Sequence, residues 1–212
     1  MGTLLKKITR KIKCACCGHE TEMEVNVSRN VNQAGLDGRP QYKWQLRPYQ
    51  ECPKCHYVSW DISRKTGEDV ATLVSSDKYR KVLDSNTNQS RYYEAMLLLI
   101  ANQEDSLNVI LQYLWWTEFT GDSQGTQVRE RAISLLKTIT DTKPLVMYVF
   151  TYIDLLRRNS EFDKAADILN DVSSSMEKNK EDNKLLYQIY QYERRLIEAK
   201  DTAPHLVSEV VV

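Results

Sequence analysis

The sequence predicts an α+β protein, in which a small antiparallel β zinc ribbon is followed by an all-α, tetratricopeptide-like helical array. Two Cys-x-x-Cys pairs, strand-type alternation up to about Ser63 and helical periodicity after Lys65-Thr66-Gly67 are the three observations that predict it. We therefore expect a zinc-ribbon domain at residues 1–65, a helical domain at residues 66–200 and a C-terminal tail at residues 201–212.

The two cysteine pairs predict a tetrahedral metal site. Each pair lies in a stretch typical of a tight turn, and Gly18 follows the first pair where such a turn commonly needs a positive φ. Four thiolates leave no open position, which favours one structural zinc per chain over a catalytic metal. The alternative is a pair of disulfides or unrelated thiols. The expected zinc ligands are Cys14, Cys17, Cys52 and Cys55.

Four other residues are weighed as ligands or reactive groups. Cys16 is either a redox-sensitive or alternative ligand or a turn residue that happens to be cysteine, and we favour the turn residue. Each Cys-x-x-Cys turn is here called a knuckle. His19 and His56 each follow a knuckle closely and could replace a cysteine as a ligand, although four thiolates already complete the site. His205 lies in the tail and has no predicted role.

Alternation of apolar and polar residues predicts the strands of the ribbon. Met23, Val25 and Val27 form one such series; a second comprises Tyr42, Trp44 and Leu46, and a third Val58, Trp60 and Ile62. The glycine-containing stretch from Asn32 to Pro40 is typical of a connecting loop. A sheet this small buries little apolar surface, so we expect the zinc to supply most of its stability.

Helical periodicity with polar breaks predicts seven helices, at 68–83, 91–102, 105–120, 124–140, 144–158, 161–177 and 181–200. Gly121-Asp122 and the stretch from Asp141 to Pro144 end two of them. Short connections between neighbouring helices favour antiparallel pairs. Trp115, Leu156, Ala165 and Leu169 are expected to be buried.

One stretch has the spacing of a tetratricopeptide unit. Tyr152 and Leu156 precede a turn at Asn159-Ser160, and the following helix carries Phe162, Ala165, Leu169 and Val172. Ile153 stands where the first helix of such a unit usually has glycine, and no strict 34-residue copy occurs elsewhere in the sequence. Together with its helical neighbours the stretch indicates a tetratricopeptide-like array.

These motifs resemble an uncharacterised bacterial family, a domain of unknown function that joins a split zinc ribbon to tetratricopeptide-like helices. The resemblance rests on Lys13-Cys14-x-x-Cys17-Gly18, on Tyr49 to Tyr57, and on Leu111-Gln112-Tyr113-Leu114-Trp115-Trp116 leading to Gly121-Asp122. The chain has Ala15 where the family usually has proline and His56 where it usually has glycine. The resemblance implies the fold and the four cysteine ligands, and it implies no reaction.

Charge and composition bear on partners and location. Residues 1–65 carry 12 Lys/Arg and 6 Asp/Glu, whereas residues 66–212 carry 17 and 23, so a basic first part precedes an acidic remainder. The sequence has no run of eighteen apolar residues and no typical signal peptide, and its two Cys-x-x-Cys pairs with one spare cysteine suit a reducing cytoplasm. We expect a cytoplasmic protein without a membrane partner.

The basic segment before the first cysteine admits two interpretations. Lys6, Lys7, Arg10, Lys11 and Lys13 alternate with apolar residues, so with Trp44 and Trp60 they could contact nucleic acid. A solvated strand edge protected by lysines is the interpretation that we favour.

Two aromatic groups admit similar alternatives. Trp115 and Trp116 form either core or a stacking platform for bases, and at least one of them must be core. On the last helix a group of aromatic and basic residues either lines a peptide groove or caps the helical stack: Tyr187, Tyr190, Arg194 and Arg195.

The sequence favours a binding protein over an enzyme. It contains no His-Glu-x-x-His, Gly-x-Ser-x-Gly, phosphate-binding glycine loop or dinucleotide fingerprint. Stacked helical hairpins often bind segments of other proteins, so we expect a zinc-binding adaptor or scaffold with a protein or peptide partner. The alternative is a nucleic-acid-binding module that acts through the basic ribbon.

Overall fold

The computed structural model describes residues 7–26, 34–39, 49–67, 69–85 and 89–210. Two small antiparallel β-hairpins near the N-terminus precede a helical array, which confirms the α+β class predicted from the sequence. The tetratricopeptide-like character of the array stays a prediction, as do the domain boundaries at residues 65 and 200. No helix in the described ranges is both long enough and apolar enough to cross a bilayer.

The first hairpin pairs β1 (Lys7–Lys13) with β2 (Glu20–Asn26). The register places Ile8 opposite Val25 and Ile12 opposite Thr21, so the apolar side chains share one face, as the alternation predicted. The second hairpin is much shorter and pairs β3 (Gln50–Glu51) with β4 (Val58–Ser59). The predicted strand containing Tyr42, Trp44 and Leu46 lies outside the described residues.

The strand predicted through Trp60 and Ile62 is wrong beyond Ser59. After β4 the chain turns, because the Asp61 carboxylate accepts the backbone N–H of Ser63 at 3.0 Å and its hydroxyl at 2.6 Å. Ile62 is nevertheless buried, and its N–H donates to the side chain of Gln50 at 3.0 Å. Apolar alternation there reflects burial within a turn rather than a pleated strand.

Three short helices follow, namely α1 (Val70–Ser75), α2 (Asp77–Asp84) and α3 (Ser90–Leu99). The sequence predicted a single helix over 68–83, but Ser76 interrupts it with an extended backbone at φ −70° and ψ 149°. Its hydroxyl accepts the N–H of Tyr79 at 3.3 Å and so caps the start of α2.

The remaining helices are α4 (Gln103–Thr120), α5 (Gly125–Thr142), α6 (Val146–Arg158), α7 (Phe162–Asp171), α8 (Ser173–Lys178) and α9 (Lys184–Glu198). A 3₁₀ turn, Val207–Glu209, lies near the C-terminus. Gly121, Ser160 and Lys200 have positive φ angles just after α4, α6 and α9. At each of these ends the N–H of the next residue donates to a carbonyl in the last turn of the helix, as is typical of helix C-termini. The predicted helix over 161–177 is interrupted at Val172, between α7 and α8.

By contacts the chain forms two compact units. The first comprises residues 1–30 and 44–116, and the second comprises residues 31–43 and 117–212. The first unit has an aromatic core in which Tyr93 stacks on Tyr113 with ring centroids 5.0 Å apart, and Trp116 lies 6.1 Å from both rings. Trp115 and Trp116 are 5% and 7% exposed, so both are core residues.

In the second unit α6 packs against α5, α7 and α9. Leu156, Ala165 and Leu169 are buried as the sequence predicted. Ala165 is a fully buried small residue of α7, the helix that packs against α6 and α9, and a small side chain permits close approach of two helices.

Candidate metal centre

The first cysteine knuckle begins where β1 ends. The Cys14 N–H donates to the carbonyl of His19 and the Gly18 N–H donates to the carbonyl of Cys14, both at 2.8 Å. These bonds turn the chain through residues 15–17 and leave Gly18 with a φ of 73°, as the sequence predicted. The turn brings Cys14 and Cys17 to the same side.

The second knuckle repeats this geometry between β3 and β4. The Cys52 N–H donates to the carbonyl of Tyr57, and the His56 N–H donates to the carbonyl of Cys52, both at 2.9 Å. His56 takes the position of Gly18 and has a φ of 62°, which is uncommon for a residue with a side chain. Its Nδ1 lies 2.7 Å from Glu51 Oε1.

Helix α2 fixes the second knuckle through one buried side chain. The Tyr79 hydroxyl donates to the carbonyl of His56 at 2.9 Å and accepts the N–H of Val58 at 3.0 Å. Burial raises the pKa of Tyr79, so the hydroxyl keeps the proton with which it donates. The knuckle is therefore held to the helical part of the first unit by paired hydrogen bonds.

The two knuckles bring together the four cysteines that the sequence predicted as ligands. Their sulfur atoms all lie within 4.8 Å of one another, and the Cys14–Cys55 and Cys17–Cys52 sulfurs are each 3.7 Å apart. A tetrahedral zinc site with Zn–S bonds of about 2.3 Å has sulfur atoms about 3.8 Å apart. The cysteines are free thiols, and their spacing fits a metal ion of this kind.

Burial and backbone dipoles act in opposite directions on these thiols. Burial raises the pKa values of Cys14 and Cys55, although the N–H groups of Cys16 and Cys17 point at the Cys14 sulfur. For Cys17 burial also opposes ionisation, but the His19 N–H and the neighbouring sulfurs outweigh it, so its pKa is lowered. A bound divalent cation would lower the pKa values of all four thiols, because a thiol that coordinates a metal is deprotonated.

Cys16 lies beside the four-cysteine group without belonging to it. Its side chain is partly buried and forms a hydrogen bond with Cys55, and burial raises its pKa. His19 and His56 also lie outside the group of potential ligands that the described residues form. The structure therefore brings together the predicted set of four and neither of the histidine substitutes.

The basic strand β1 faces acidic residues across the hairpin. Lys11 lies opposite Glu22 and Lys13 lies opposite Glu20, and all four side chains are exposed. Opposite charges on directly paired residues attract each other and offset the positive charge of the strand. Lys6 and Trp44 lie outside the described residues, and Trp60 is partly buried with its ring 6.2 Å from that of Tyr93.

The four α9 residues predicted to line a groove or cap the helical stack differ in their exposure to solvent. Tyr190 is buried, and the Arg194 guanidinium lies 4.9 Å above its ring and donates to its hydroxyl. Tyr187 is partly exposed and donates to Glu177 at 2.8 Å, whereas Arg195 is exposed and lies 5.3 Å above the ring of Tyr192. Tyr190 is therefore the buried member of the group, whereas Tyr187 and Arg194 are partly exposed and Arg195 is exposed.

A buried ion cluster in the second unit was not anticipated from the sequence. Arg157 is fully buried, and it donates from Nε to Glu193 at 3.1 Å and from Nη2 to Asp154 at 2.5 Å. Arg158 donates to Asp37 at 2.9 Å and to Glu118 at 2.5 Å. Asp154 within the apolar run from Val149 to Leu156 was the available signal, since a carboxylate there needs a buried partner.

The cluster shifts the ionisation of its acids in both directions. Burial and then the nearby Asp154 carboxylate raise the pKa of Glu193 to about 8, although Arg157 opposes the shift. Glu118 is affected by burial too, but Arg158 and Arg129 outweigh it and lower its pKa. Close carboxylates in a dry environment resist simultaneous ionisation.

Comparison of the chain with protein-family models, with curated proteins and with solved structures finds no match.

Proposed function

We propose that the chain is a zinc-binding, non-catalytic protein-interaction adaptor, whose helical unit presents a face to a partner protein. The observation that supports zinc binding is the four-cysteine group, in which sulfur separations of 3.7 Å suit a tetrahedrally coordinated ion. Cys14, Cys17, Cys52 and Cys55 would hold one zinc ion per chain. The bound ion supplies a cross-link between the two knuckles.

Support for a structural role comes from the ligand set. Four thiolates complete the coordination of zinc and leave no position for water or substrate. Soft sulfur ligands also favour zinc over magnesium or calcium, which prefer oxygen. Free thiols persist in reducing compartments, so we place the protein in the cytoplasm. Membership of the bacterial family that the motifs resemble is part of this proposal.

Support for an adaptor comes from the second unit. Helices α5, α6, α7 and α9 pack side by side, and arrays of this type expose long faces suited to segments of other proteins. Tyr187 and Arg195 offer partly and fully exposed side chains of the types that dominate protein interfaces.

The pairing of Lys11 with Glu22 and of Lys13 with Glu20 disfavours the nucleic-acid alternative. A strand that binds phosphates should present unopposed positive charge. If nucleic acid were the partner, affinity would fall steeply between about 50 and 200 mM salt and would weaken when Arg10 and Lys11 are reversed in charge.

A pull-down from cell lysate with nuclease treatment tests the proposal. The tagged full-length chain should capture a defined protein that survives nuclease, and Tyr187→Ala together with Arg195→Ala should reduce its recovery. Arg10→Glu with Lys11→Glu is the matched control and should leave recovery unchanged. Recovery of nuclease-sensitive material alone would replace the adaptor with the nucleic-acid alternative.

A further inference from the structure

The C-terminal residues 201–210, here called the tail, lie in the second unit, where an isolated β-bridge joins them to residues 34–36 just before the 3₁₀ turn. The Val207 N–H donates to the carbonyl of Ala34 at 2.8 Å, and the Leu36 N–H donates to the carbonyl of His205 at 3.0 Å. These bonds make an antiparallel bridge between Gly35 and Leu206. The tail is thus held here by backbone groups, which any extended peptide can supply.

Arg157 also binds the backbone of the tail. Its Nη1 donates to the carbonyl of Asp201 at 2.6 Å and to that of Ala203 at 3.0 Å. The guanidinium is fully buried, and its other donors are engaged by Asp154 and Glu193. Without the tail, Nη1 would lose both of these acceptors, and an unpaired buried charge is strongly unfavourable. The position therefore requires two carbonyl oxygens from an occupant.

Apolar side chains complete the contact. Val210 of the tail packs with Leu36 and with Leu196 of α9, and Val207 joins the same cluster beside Ile189 and Tyr192. The tail leaves α9 at Lys200, whose φ of 54° completes the helix end. Because α9 ends before the tail begins, the tail can leave the surface without unwinding the helix.

The polar side chains of the tail are held chiefly by one another. His205 places Nε2 3.0 Å from Asp201 and Nδ1 2.7 Å from Glu209. The Tyr192 hydroxyl of α9 donates to Glu209 at 3.2 Å. An occupant of this surface therefore combines two free carbonyl groups, an extended backbone, apolar residues four or more positions further on and an acidic residue near Tyr192.

We propose that this surface, formed by α9, Arg157 and residues 34–36, is a peptide-binding site that the tail occupies in cis, and that an extended partner segment of the same chemistry displaces the tail. The inference rests on the adaptor function proposed above and assigns the face that the partner uses. The tail is then a built-in competitor that lowers the apparent affinity for the partner.

A synthetic peptide of residues 201–212 tests the inference in trans. A fluorescently labelled peptide should bind a chain that ends at Lys200 and raise its anisotropy to saturation. Binding to the full-length chain should be at least tenfold weaker, because the tail already fills the surface. Absence of binding to the folded truncated chain, or equal binding to both chains, would overturn the inference.

Peptide variants identify the contacts. Methylation of the Val207 amide nitrogen removes the donor to Ala34 and should weaken binding at least tenfold, as should Val210→Asp. Thr202→Ala is the matched control, since Thr202 is exposed, and it should bind as the parent peptide does. Equal affinity of all three variants would contradict the site as described.

A second protein variant covers failure of the truncated chain to fold. In full-length Val210→Asp the tail remains attached but loses its apolar contact, so the free peptide should bind this chain more tightly than it binds the wild type. The inference is overturned if both altered chains unfold, or if folded Val210→Asp binds the free peptide no more tightly than the wild type does. Either result would show that the tail is a permanent part of the core. A captured partner whose recovery is insensitive to the peptide would leave the adaptor function standing and refute this face alone.

Discussion

Gly18 and His56 occupy equivalent positions in the two cysteine knuckles, and both have a positive φ. Glycine adopts this conformation without steric cost, whereas a side chain adds strain. At His56 the contact with Glu51 and the hydrogen bond from Tyr79 accompany the strained backbone and offset its cost. At Gly18 the absence of a Cβ lets the chain make the same turn without this strain.

Gly18→Ala should therefore destabilise the first unit by about 1–2 kcal/mol. Gly67→Ala is a matched control, because its added Cβ would meet its nearest neighbour, the Leu99 carbonyl oxygen, at an ordinary 3.6 Å. The described tryptophans, Trp60, Trp115 and Trp116, belong to the first unit, so urea unfolding followed by tryptophan fluorescence measures the effect there. Equal midpoints for the two variants would contradict the proposed role of the positive φ.

Glu193 gives the second unit a pH dependence of defined sign. Burial raises its pKa to about 8 in the folded chain, above the ordinary value of 4.5, so the folded state holds a proton that the unfolded state releases. Between these values the folded state binds more protons, and stability from this group falls as pH rises.

Glu193→Gln should flatten the fall in stability between about pH 5 and 8, because the amide does not titrate. Glu198→Gln, on the exposed side of α9, is the control and should keep the wild-type slope. Urea unfolding followed by far-ultraviolet circular dichroism, at several pH values in this window, provides the measurement. A wild-type slope in Glu193→Gln would show that other groups govern the pH dependence.

At the scale of elements, the sequence predicts features that depend on neighbouring residues, such as turns and helix ends, and misses contacts between distant residues. The knuckles and the turns at Gly121 and Ser160 depend on a few neighbouring residues, so the sequence indicates them directly. The break at Ser76 is also local, but it was missed because the apolar spacing continues across it. The pairing of Asp37 with Arg158 spans 121 positions, and no periodicity reports such a contact.

The first hairpin is the element that a metal ion held by the four cysteines would stabilise most. Among the described residues, the Ala15 N–H donates to the Ile62 carbonyl at 2.7 Å, the one backbone bond joining the first knuckle to the segment around the second. An isolated two-stranded hairpin is marginal in water. A metal ion shared by the four cysteines would therefore supply most of the remaining attachment.

Chelation of the metal should accordingly release this hairpin first. Hydrogen exchange with mass spectrometry should show faster exchange across residues 7–26 after chelation, whereas residues 146–158 of α6, in the second unit, should keep their protection. Restoring zinc should restore the hairpin. Unchanged exchange at residues 7–26 in verified metal-free protein would contradict this dependence.

At the scale of the whole molecule, the contact units do not follow chain order. Residues 31–43 lie between the two cysteine pairs in sequence, yet they belong to the second unit with the tail. Composition and periodicity describe successive segments, so they separate a strand-rich part from a helical part and cannot reveal an excursion of this kind. The pairing of Gly35 with Leu206 joins two segments that lie far apart in the sequence, so no local pattern indicates it.

We expect the four cysteines to hold one zinc ion, which would organise the first unit. X-ray absorption at the zinc edge, combined with elemental analysis, measures the ion and its ligands together. The protein should contain one zinc per chain, bound by four sulfur atoms at about 2.3 Å, with the metal largely lost in Cys52→Ser and retained in the matched variant Cys16→Ser. Far less than one zinc per chain with intact thiols, or full metal content in Cys52→Ser, would show that these cysteines do not form the zinc site.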